Sequence, residues 1–87
     1  MDQGITQVVQ DRLGDNLRRL RKQAGLKQRE VAVKLQLQGM PITREIYAQI
    51  EIGRRHVGMD VMRELKRIYK VSWEEMMEYP EQTEKSR

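Results

Sequence analysis

Residues 28–56, QREVAVKLQLQGMPITREIYAQIEIGRRH, decide how this chain folds. Val31 and Leu35 recur at a spacing of four, the signature of one helix face, in a run that starts near Gln28 and ends at Gly39. Leu37 is read as an inward residue of the same helix. Pro41 cannot continue a helix, because its ring removes the backbone N–H and clashes with the preceding turn. Thr43 is then a good N-cap for a helix from Arg44 to about Glu51, which turns Tyr47 and Ile50 inward and stops at Gly53. Its outward positions are Arg44, Glu45, Ala48 and Gln49, and a basic corner of Arg54, Arg55 and His56 follows at once.

Upstream, Ile5, Val8, Val9, Leu13, Leu17, Leu20 and Ala24 step by three and four, as one stripe of an amphipathic helix does. Gly25 follows as a stop. How far this first helix runs before Leu13 is open, because Gly14 costs a helix about 1 kcal/mol against alanine. Residues 1–12 therefore extend helix one, form an arm, or stay disordered. Downstream, Met59, Met62, Leu65, Ile68 and Tyr69 mark a fourth helix, with Met59 and Met62 read as core residues at helical spacing. Ser72 with Glu75 three residues on is a capping box, opening a fifth that carries Trp73, Met76 and Met77. The reading is an all-α domain of five helices over residues 1–79, with a disordered polar tail, PEQTEKSR, at 80–87.

Composition narrows the function. Eighty-seven residues leave room for one small domain. The chain has no cysteine and one histidine, His56, so neither a zinc site nor a catalytic triad is expected, nor any cofactor. No acid pair or nucleophile–base set stands out, and an enzyme is not expected. No apolar run approaches a membrane span and no secretory leader is evident, which gives a cytoplasmic expectation. Through Trp73 the chain carries fifteen basic and eight acidic side chains, a net +7, and five of its thirteen acids lie after that residue. A basic body with an acidic end suits a polyanionic partner, nucleic acid or an anionic membrane. A membrane-surface role for residues 5–24 is disfavoured, since that stripe lacks Trp and Phe.

Two short helices joined by a turn, the second polar outward and followed by a basic loop, form a helix-turn-helix pattern. LGDNLRRLRKQAGLKQREVAVKL (13–35), ITREIYAQIEIG (42–53) and MDVMRELKRIYKVSWEEM (59–76) resemble the phage-repressor/Cro-like helix-turn-helix domains, of the xenobiotic-response-element type, of bacterial regulators. The resemblance implies that Gln28 touches a DNA phosphate and that Arg21 and Glu51 pair across helices one and three. It places Thr43, Arg44, Glu45 and Gln49 at the contacting positions of a recognition helix. Arg44, Glu45 and Gln49 are the expected base contacts, since Arg, Glu and Gln match guanine, cytosine and adenine edges. Lys27, Gln28, Thr43, Arg54 and Arg55 are the expected backbone contacts.

Three residues or stretches depart from that family's pattern. Lys27 stands where a Ser or Thr N-cap is usual. Tyr47 replaces a smaller aliphatic residue, so its hydroxyl must find water or a partner. QLQGMP, residues 36–41, lengthens the turn between the two helices by about five residues, at a closure cost of order 1 kcal/mol or less.

The expected function is sequence-specific binding of double-stranded DNA by a transcriptional regulator, a repressor rather than an activator. A domain this small needs two half-sites for useful affinity, hence a homodimer, with Trp73, Met76 and Met77 as candidate interface residues. The alternative from a different class is a protein-binding adaptor or antitoxin-like module on the same fold. No small-molecule substrate is expected.

Overall fold

The computed structural model describes residues 3–77, with side chains from residue 7 onward. Among these residues there are five helices: α1 Gln3–Gln23, α2 Gln28–Leu37, α3 Arg44–Glu51, α4 Met59–Tyr69 and α5 Trp73–Met77. The five-helix expectation holds, and no strand occurs among the described residues. The tail at 80–87 lies outside them.

α1 packs against α3 and α5, while α2 packs against α3 and α4, so α3 is gripped from two sides. The core is one cluster of Leu17, Leu20, Val31, Leu35, Tyr47, Ile50, Val61, Met62, Leu65, Tyr69 and Met76. α1 to α4 each supply residues at the three- and four-residue spacing that brings side chains onto one face, and α5 supplies Met76. Local signals fix the ends. Thr43 Oγ1 accepts from the Ile46 amide at 3.1 Å, and the Ser72–Glu75 capping box closes with bonds of 2.8 and 3.1 Å. Glu30 accepts from the Lys27 amide at 2.7 Å, which starts α2 without a Ser or Thr cap.

Gly14 lies within α1 rather than at its start, and packing explains its presence. A Cβ built on it stands 2.4 Å from the Glu51 carbonyl oxygen and 2.8 Å from that of Ile50. Both are backbone atoms, so only glycine lets α1 come this close to the last turn of α3. Residues 3–12 belong to the same helix.

Val8, Val9 and Ala24, expected on the apolar stripe of α1, are exposed. Two further inward assignments are corrected. Leu37 is 78% exposed. It follows Leu35 by two residues, a rotation of about 200° on a helix, which sends it to the face opposite Val31 and Leu35. Met59 is 70% exposed, because the buried stripe of α4 is Val61, Met62, Leu65 and Tyr69. Met59 lies roughly 100° from the centre of that stripe. A last correction concerns the proposed dimer residues: Met76 is fully buried in the core of its own chain, while Trp73 and Met77 are exposed. The Asn16 side-chain amide donates to the Glu75 and Met76 carbonyls at 2.9 and 2.6 Å, tying α5 to α1 and pointing Met76 inward. Lys66 Nζ lies 5.7 Å from the centre of the Trp73 ring, a cation–π contact on the exposed side.

Tyr47 finds its partner in the core: its hydroxyl is hydrogen-bonded to that of Tyr69. Burial, foremost, pushes both phenols well above the ordinary tyrosine range; Glu51 raises both further, while the bond from Tyr47 moderates Tyr69. In the unfolded chain tyrosines lose their protons near pH ~10. Above that pH the folded state binds more protons than the unfolded one, so stability falls as pH rises, by up to about 1.4 kcal/mol per pH unit for each tyrosine. Urea-unfolding midpoints attributable to these groups are expected to hold steady to about pH 9 and decline beyond pH ~10. A Tyr47→Phe, Tyr69→Phe variant with the same alkaline decline places its cause elsewhere.

Candidate nucleic-acid interface

The lengthened turn is closed by local hydrogen bonds. The Gly39 amide donates to the Gln36 carbonyl at 2.9 Å and the Met40 amide to the Leu35 carbonyl at 3.1 Å. This crossed pair closes a helix with one left-handed residue, here Gly39 at φ 84°. Met40 and Ile42 pack against the core, and the Gln36 side-chain amide bonds the Ile42 carbonyl at 2.9 Å. Of residues 36–41 only Met40 lies against the core; with Ile42 it anchors an otherwise exposed turn that delivers the chain to Thr43.

α3 then buries Tyr47 and Ile50 and leaves Thr43, Arg44, Glu45 and Gln49 exposed along its outer face. The amino-terminal end of a helix offers unpaired N–H groups and a partial positive charge, both attractive to a phosphate. Lys27, Arg54 and Arg55 are exposed at the ends of this face, and Gln28 is half-buried beside it.

Beneath this face a charged network fixes α3 to α1 and α2. Arg21 Nε and Nη2 donate to the two Glu51 carboxylate oxygens at 2.7 and 3.1 Å, and Arg21 Nη1 donates to the Leu26 carbonyl at 2.9 Å. Both side chains are buried. The bonds to Glu51 raise the guanidinium pKa above its ordinary value despite burial, so Arg21 stays charged. The pair expected across helices one and three is present with bidentate geometry.

Gln28 joins the network in a way the sequence did not announce. Its side-chain nitrogen donates to Glu51 Oε1 at 3.0 Å, and its oxygen accepts from Arg44 Nη1 at 3.5 Å. The glutamine at the start of α2 thereby aligns with Arg44 at the start of α3. Arg44 also sits 3.7 Å from Glu45, both exposed. Contacts this long and solvated hold a side chain weakly, leaving Arg44 free to turn outward. At the other end of α3, Arg55 Nε donates to Gln49 Oε1 at 3.1 Å. Among the expected base-contact residues, Gln49 is thus held by a neighbour, while Arg44 and Glu45 are only loosely held.

Arg18 and Lys22 of α1, one turn apart, border an open cleft with Asp11, Asp15, Arg21, Gln28, Glu51 and Ile52, beside the end of α3. Linear spacing gives no hint of this, since the cleft exists only once α1 lies across α3.

Compared with known proteins, residues 12–78 match a family described as "Helix-turn-helix domain". No curated protein and no solved structure matches the chain.

Proposed function

Because the chain belongs to this helix-turn-helix domain family, we propose that it is a sequence-specific double-stranded DNA-binding regulator, acting as a repressor, with α3 seated in the major groove. The observation that carries this reading is the exposed face of Thr43, Arg44, Glu45 and Gln49, with Lys27 and Gln28 at one end and Arg54 and Arg55 at the other. Cations and amides at both ends suit the two phosphate strands that border a groove, and polar side chains between them suit base edges. Arg44, Glu45 and Gln49 read bases; Lys27, Gln28, Thr43, Arg54 and Arg55 hold the backbone. Repression needs no more than occupancy of the site by this domain.

Two copies bind a two-fold-related site, each filling one half. The exposed Trp73 and Met77 on α5 are the residues assigned to the contact between them; Met76, buried in its own chain, is not.

Fluorescence anisotropy with duplex DNA across a range of salt tests the reading. Affinity is expected to fall linearly on a log–log plot, with a slope reporting several phosphate contacts. Absence of binding at about 50 mM salt, where such contacts are strong, excludes it. Once a site has been selected, Arg44→Ala is expected to weaken binding by about 1–3 kcal/mol and to relax preference at one base pair. Unchanged affinity and preference in that variant remove Arg44 from the reading face.

A further inference from the structure

The family match begins at Arg12, yet α1 begins at Gln3, so more than two turns of helix precede the matched domain. These turns lie against one backbone group. Gln7 Nε2 donates to the Gly53 carbonyl at 2.8 Å, and Gln10 Nε2 donates to the same oxygen at 3.3 Å. Gln7 Nε2 also donates to Asp11 Oδ1 at 2.9 Å, which steadies the amide. Residues three and four apart share a helix face, so Gln7, Gln10 and Asp11 meet the loop together. The approach is close: a Cβ built on Gly53 stands 2.1 Å from Asp11 Oδ1 and 3.2 Å from Asp11 Cα.

Gly53 is where α3 gives way to the basic corner. Its amide donates to the Ile50 carbonyl at 3.1 Å, and the Arg54 amide donates to the Gln49 carbonyl at 2.9 Å. The next residue, Arg55, holds the Gln49 side chain. A peptide fixed at Gly53 therefore sets the direction in which Arg54 and Arg55 leave the helix, and through Arg55 the orientation of Gln49.

We infer that the amino-terminal turns of α1 are a built-in brace for the DNA-reading surface, in which Gln7 and Gln10 are positioning residues that hold the Gly53 carbonyl and with it Arg54, Arg55 and Gln49. The inference rests on the DNA-binding reading above. Neither glutamine needs to touch DNA. The two amides order the loop before the complex forms, so its side chains lose less freedom on meeting a phosphate. Alanine is a good helix former, so replacing the two glutamines removes the amides without introducing a helix breaker into α1.

The test is the full-length Gln7→Ala, Gln10→Ala variant beside the unaltered chain, with circular dichroism to show that both are folded at the working temperature. Two readings are taken: hydrogen exchange in free protein of the Gly53 and Arg54 amides, which donate to Ile50 and Gln49, and anisotropy with duplex DNA across salt. The variant is expected to exchange these amides about tenfold faster and to bind about tenfold more weakly. Its salt slope is expected to fall by about one phosphate contact, with preference relaxed at the base pair read by Gln49. Weaker binding with slope and preference unchanged reduces the glutamines to general stability and overturns the inference, as does unchanged exchange. Failure of the unaltered chain to bind DNA overturns the functional reading instead, and the exchange comparison still decides whether the brace holds the loop.

Discussion

Glu51→Ala is expected to cost the fold about 3–5 kcal/mol, the range for removing one member of a buried ion pair. The substitution leaves the Arg21 guanidinium buried with only the Leu26 carbonyl as partner, and strips Gln28 of its acceptor. A domain of this size is stable by roughly 4–13 kcal/mol in all, so much of that stability is lost. Urea denaturation monitored by circular dichroism measures it. The same physics makes a paired replacement informative. Arg21→Met with Glu51→Leu removes both charges, and buried pairs exchanged for apolar residues of similar volume are often neutral or stabilising. The paired variant is expected to regain most of the stability but to bind DNA more weakly, because Gln28, a proposed phosphate contact, loses the carboxylate that orients it. A loss below 1 kcal/mol in Glu51→Ala shows that the pair does not hold α3.

Gly14→Ala is expected to destabilise by about 2 kcal/mol, against a helix-propensity gain of about 1 kcal/mol in the other direction. The added methyl group meets backbone oxygens of Ile50 and Glu51 rather than flexible side chains. Relief requires α1 to move from α3, and both ends of the reading face move with it. A loss of that size lowers Tm by roughly 8–16 °C in a domain of this length. DNA affinity at a temperature where both proteins are folded is expected to fall as well, since α3 and the corner after Gly53 are both carried on this contact. A variant that melts higher than the parent, as propensity alone dictates, shows that the helices have room to spare.

Much of the architecture was legible along the chain because its signals are local. Thr43, Ser72 with Glu75, Gly39 and Gly53 each act within a turn of their own position, and the structure puts helix ends there. Tyr47, Ile50, Val31 and Leu35 were readable as core for a similar reason, since three- and four-residue spacing is itself the geometry of a helix face. Spacing failed where the step was two, at Leu37, and where a residue at the edge of a stripe stood roughly 100° from its centre, at Met59. Arg21 with Glu51 came from the family resemblance; thirty residues separate them, and no periodicity links the two.

By itself, then, the sequence determined the helices, their ends apart from the start of α1, most of the buried face and the polar character of α3. Only the tertiary structure decided what those helices do to one another. The close approach at Gly14, the path from Arg21 through Glu51 and Gln28 to Arg44, the brace at Gly53 and the burial of Met76 all join residues far apart in the chain. Helix formation is governed by neighbours within four residues, whereas the burial of a charge or the clash of a methyl group depends on which backbone arrives opposite. Gly14 shows the difference most directly: along the chain it is a weak point in a helix, and against α3 it is the residue that fits.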